Sequence, residues 1–133
     1  MKSPTTISDR TKRVFGWIGA FCLLLIIPLK LLRWGDQLAV SIIVGIAPSA
    51  LGPAGLLFLI LSSSNPVLAR LTVLHTTALV GAIAMGLEFI QLIPRPGILA
   101  AIHYTFDWLD IVATVFSLTA GYFAARLLIW SNR

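Results

Sequence analysis

Four stretches of this chain hold no Asp, Glu, Lys or Arg: residues 14–29, 38–61, 71–87 and 111–125. A helix satisfies its own backbone in hydrocarbon, and crossing the ~30 Å core takes about 20 residues. Each stretch approaches that length once its aromatic and snorkelling flanks are added. The whole chain is 58% apolar and 11% charged, against about 25% charged in a soluble domain. A soluble globule of this composition would expose large apolar patches. The expected fold class is therefore all-α, an integral membrane four-helix bundle forming a single domain. Four spans leave no room within 133 residues for a separate soluble catalytic or nucleotide-binding domain.

The first span is placed at 14–34. Lys2, Arg10, Lys12 and Arg13 precede it, and Lys30, Arg33 and Trp34 close it without a small-x-small cleavage site, so it reads as uncleaved. The second, 38–61, is interrupted by Gly45, Pro48, Gly52, Pro53 and Gly55. Such breaks free backbone groups that must find partners in protein or water. This is either a kinked helix packed on its neighbours or a broken helix lining a cavity. Residues 62–66, Ser-Ser-Ser-Asn-Pro, make a turn. The third span is placed at 67–93, before Pro94-Arg95-Pro96-Gly97, and the fourth at 107–130.

Basic residues set the orientation. With four spans, Lys2, Arg10, Lys12, Arg13, Arg70, Arg126 and Arg133 share one side, and Lys30, Arg33 and Arg95 the other. Both termini are expected in the cytoplasm. The pI of 10.2 then reflects topology and anionic headgroups rather than nucleic acid. Cys22, the single cysteine, reads as a core- or lipid-facing residue. His75 is expected to bond a neighbouring helix.

The informative polar residues lie late in the chain. Glu88 follows seventeen residues without formal charge, 71–87. A carboxylate at such a place should face protein, water or a partner. Gln91 and Arg95, at i+3 and i+7, share its face on a continuing helix. On the fourth span Asp107, Asp110, Thr114, Ser117 and Gly121 form one stripe. Ala113, Ser117, Gly121 and Ala125 repeat every four residues, a face that permits close helix packing. The third span has its own small face in Ala78, Ala82 and Gly86. If the two faces meet, Glu88 and Gln91 approach Asp107 and Asp110, with Arg95 and His103 in reach. Three roles fit that cluster: a structural lock with Asp107 and Asp110 capping their own helix, a ligand site, or a catalytic carboxylate pair. No zinc motif, phosphate loop or nucleophile elbow is present, and no cofactor or metal is expected.

These residues resemble the signature of the VanZ-like family, small bacterial membrane proteins named after a glycopeptide (teicoplanin) resistance factor. The family pattern has Glu-x-x-Gln near the end of one span, matched by Glu88 and Gln91, and Asp-x-x-Asp opening the next, matched by Asp107 and Asp110. Arg95 occupies a basic position between them, and Gly121 a later glycine. Thr114 stands where the family usually has Asn, and Ser117 where it usually has Gly. The resemblance spans residues 85–125. It implies a bacterial cytoplasmic-membrane, cell-envelope setting rather than a reaction.

The expected function is non-enzymatic, an outward-facing polar cluster binding a lipid or glycopeptide-related envelope ligand or a partner membrane protein. The alternatives are an enzyme acting on a lipid-linked substrate through paired carboxylates, and a homo-oligomeric or accessory subunit.

Overall fold

A computed structural model describes residues 7–32, 38–90 and 108–132. They form four helices, α1 (Asp9–Leu32), α2 (Leu38–Ser62), α3 (Val73–Ile90) and α4 (Trp108–Ser131), and a single 3-10 turn, Leu68–Arg70. All four helices are long and apolar enough to cross a membrane. The chain is an all-α, multi-pass membrane protein.

Side-chain caps decide where two helices begin. Ser8 opens α1: its Oγ accepts the Thr11 N–H at 3.3 Å and bonds Thr11 Oγ1 at 2.8 Å. The helix thus starts at Asp9, five residues before the uncharged run, because a hydroxyl cap needs no hydrophobic sequence behind it. Thr72 does the same for α3, accepting the His75 N–H at 3.3 Å. The third helix consequently starts at Val73 and not at 67. The intervening residues form a turn in which Asn65 Oδ1 accepts the Val67 N–H at 2.9 Å, followed by the 3-10 turn. His75 Nδ1 lies 2.6 Å from Thr72 Oγ1. It completes the cap of its own helix, which replaces the expected bond to a neighbour.

α2 is the central helix. It packs against each of the other three, whereas α1 and α4 meet only marginally. Its contact with α1 depends on Gly19 and Gly55. A Cβ at Gly19 would lie 2.8 Å from the Gly55 carbonyl oxygen, and one at Gly55 would lie 3.1 Å from the Gly19 carbonyl oxygen. The two backbones touch there, the close approach that small residues allow in lipid. Below this crossing Phe15 and Phe58 pack with ring centroids 5.5 Å apart. They join Leu57, Leu61, Val80, Leu118 and Ala125 in one buried cluster. Ile7, Leu128 and Ile129 pack on the same cluster, so the start of α1 and the end of α4 lie at one end of the bundle.

The small face of the third helix does not meet α4. Ala78 and Ala82 are exposed, and nothing lies within 4 Å of a Cβ placed on Gly86. Thr76 and Val80 are buried instead, and Gly81 faces Leu118. Gly121 is pressed against Leu57 of α2, where a Cβ would lie 3.0 Å from Leu57 Cδ2. Helix α4 therefore spends its closest approach on α2. Lipid tails solvate alanine as readily as a neighbouring helix does, so an alanine stripe need not face protein.

The α1–α2 crossing sets an expected outcome. Gly19→Ala drives a methyl into backbone and lowers stability by roughly 1–3 kcal/mol, whereas Gly52→Ala, with nothing within 4 Å, is neutral or stabilising. Denaturation of the helical signal in mixed micelles measures both.

Candidate functional site

Pro53 lies within α2. Proline has no amide hydrogen, and its ring pushes away the carbonyl four residues earlier. That carbonyl belongs to Ser49. In hydrocarbon it cannot turn to water, and each unsatisfied group costs several kcal/mol. Thr114 of α4 donates its hydroxyl to the Ser49 oxygen at 3.0 Å. Ser117 donates likewise to the next carbonyl, Ala50. Thr114 is almost wholly buried. Thr114 supplies the donor that Pro53 withholds from Ser49, and Ser117, one turn further along α4, adds a second bond to α2 at a carbonyl whose helical donor, residue 54, is an alanine.

These bonds fix the rotation of α4 about its axis. Asp110 stands one turn before Thr114, in the first turn of α4, where the helix dipole favours an acid. The contact of Gly81 with Leu118 sets the register of α3 against α4. Seven residues further along each helix, in opposite directions, this register brings Glu88 level with Ile111, beside Asp110. Glu88 is half-buried near the end of α3. Its Oε2 is shielded from solvent and has no hydrogen-bond partner among the described residues, and the Asp110 carboxylate lies within electrostatic range of it.

Of the expected polar cluster, the structure places Asp110 within electrostatic range of Glu88 and directs Thr114 to α2. Gln91, Arg95 and Asp107, with His103, lie outside the described residues. On the packing face, Ser117 bonds α2, Gly121 and Ala125 are buried, and Ala113 is half-buried. Among the described residues no group of three His, Cys, Asp or Glu could hold a metal ion, and Cys22 is a free, half-buried thiol on α1. Ser49 and Ala50 escape a reading based on side chains, because they act through backbone carbonyls. The signal was the offset of four between Ser49 and Pro53.

A half-buried carboxylate with an unpartnered oxygen is an acceptor in want of a donor. A second carboxylate beside it adds negative potential without supplying one. The pair therefore suits a cationic or hydrogen-donating group. Comparison with family models, curated proteins and solved structures returns no match.

The repair of α2 can be checked with a double-mutant cycle. Thr114→Val is expected to cost about 1–2 kcal/mol in the wild-type background. With Pro53→Ala, which returns an amide hydrogen to the Ser49 carbonyl, the same substitution is expected to cost less than half as much. Unfolding of the purified chain in mixed micelles measures the coupling.

Proposed function

We propose that this chain is a VanZ-like, non-enzymatic component of the bacterial cytoplasmic membrane, with both termini in the cytoplasm. In this reading Glu88 and Asp110 form the acidic part of an outward-facing site for an envelope ligand or a partner membrane protein. The unpartnered, solvent-shielded oxygen of Glu88 carries the proposal. A carboxylate near hydrocarbon is expensive to keep without a partner, and the described residues supply it with none. The occupant is expected to offer a cationic or N–H/O–H group to it. Gln91, Arg95 and Asp107, which follow Glu88 and precede Asp110 in sequence, would extend the same site. The seven-to-three distribution of basic residues supports the orientation.

Two adjacent carboxylates also suit acid–base chemistry on a lipid-linked substrate, one protonated and one ionised. The two readings separate experimentally. A photo-crosslinker at Ile111, in native membranes, is expected to capture an envelope lipid or a partner protein. Glu88→Gln is expected to cut that yield about tenfold or more while leaving the helical spectrum unchanged. Unaltered capture by the variant removes the binding reading. Turnover of a lipid-linked substrate by the purified chain in liposomes, lost in the same variant, replaces it with the catalytic one.

The orientation has its own check. In a Cys22→Ala background, a cysteine at Ser64 is expected to react with impermeant maleimide only after the membrane is opened. One at Gly97 should react in intact spheroplasts.

A further inference from the structure

The end of the bundle where α1 begins and α4 ends carries Arg10, Lys12, Arg13, Arg70 and Arg126, against one acid, Asp9. Among the described residues no carboxylate pairs with any of these cations. Their placement opposes the stability of the fold. Three of them stand at the start of α1, where the helix dipole is already positive. Arg10 and Arg13 are also like charges three residues apart on one helix surface. Apart from Asp9, three and four residues before Lys12 and Arg13, the described residues place no acid at this end, so an anionic surface outside the helices would complement these cations.

The side chains show from which direction it comes. Arg10, Arg13 and Trp17 share one face of α1, at i, i+3 and i+7, and Phe21 and Leu24 continue it. All five are exposed, Trp17 at 78%. Along that line the chemistry runs from cation to indole to hydrocarbon, the sequence of layers from headgroup to acyl chain. Helix α4 carries the same residue types at this end in a different order, with Trp130 outermost and Arg126 between it and Phe123. Phe123, Arg126 and Trp130 lie on one exposed face, with Trp130 at 76%. The Arg126 guanidinium sits over the Tyr122 ring, 5.8 Å from its centroid. That contact holds the cation at the height of the ring without neutralising it.

We infer that Arg10 and Arg13 on α1, with Arg126 on α4, form a binding surface for the anionic headgroups of phospholipids in the adjoining leaflet. Guanidinium groups recognise phosphate oxygens in pairs, and each cation near an anionic leaflet adds to the attraction. Trp17 lies on the membrane side of Arg10 and Arg13 and Trp130 on the outer side of Arg126, so the two indoles bracket the cations. This surface lies at the opposite end of the bundle from Glu88 and does not depend on the function proposed for that carboxylate.

The test is lipid retention by the full chain, read by native mass spectrometry after equilibration in micelles containing equal phosphatidylglycerol and phosphatidylcholine. Wild type is expected to retain phosphatidylglycerol in excess by on the order of tenfold. R10Q/R13Q/R126Q should bring the ratio near one, and R10K/R13K/R126K should keep most of the preference. If the glutamine variant does not fold, a salt titration of the wild type takes its place. The preference should collapse as the Debye length falls to about 3 Å at 1 M salt. Equal retention of the two lipids by wild type overturns the inference. So does a preference that survives both the glutamine substitutions and high salt.

Discussion

The backbone oxygen of Ser49, which Pro53 leaves without a helical donor, organises this bundle. Pro53 interrupts the hydrogen-bond network of α2 in hydrocarbon, and a neighbouring helix closes the break at this position. Here the neighbour is α4, through Thr114. The bond from Thr114 to Ser49, with that from Ser117 to Ala50 one turn on, fixes which face of α4 meets α2. Once that rotation is set, Gly121 falls against Leu57 and Asp110 falls one turn beyond the bonded pair. The position of the acidic residues is thus a consequence of a backbone repair deeper in the bundle.

The two ends of the molecule are chemically different, and the packing explains how each is exposed. Around Phe15, Leu61 and Ala125 the helices close into a tight apolar cluster. Cations there are displaced outward, toward headgroups. Toward the other end the contacts of α3 thin out, with Gly86 facing open space and Glu88 half-buried. Charge that the tight end excludes to the surface is retained at the loose end, where a carboxylate oxygen is shielded and, among the described residues, unbonded.

The four helices were legible because uncharged runs of that length have few other uses. Their starts were not. Ser8 and Thr72 cap helices ahead of, or well inside, the apolar boundaries, and a cap is a matter of one hydroxyl rather than of hydropathy. The small faces were half legible. On α4 the spacing of Ser117, Gly121 and Ala125 marks a surface in contact with protein. On α3 the same spacing in Ala78 and Ala82 lies exposed, because in lipid neither arrangement carries a hydrophobic penalty. Glu88 stood out as the one formal charge after a long neutral run, and Asp110 lies within electrostatic range of it. Thr114, grouped with them by its stripe, serves α2 instead. Its acceptor is a backbone atom, identified only by counting four residues back from Pro53.

The dependence of α2 on α4 is tested most directly by isotope-edited infrared spectroscopy of the Ser49 carbonyl, labelled with 13C and 18O, in lipid bilayers. A hydrogen-bonded carbonyl absorbs at lower frequency than a free one. A low-frequency Ser49 band is expected in the wild type, moving to higher frequency in Thr114→Val. The band is expected to stay low in Pro53→Ala whether or not Thr114 is present. A Ser49 band already at the free-carbonyl position in the wild type, or one unmoved by Thr114→Val, would contradict that dependence.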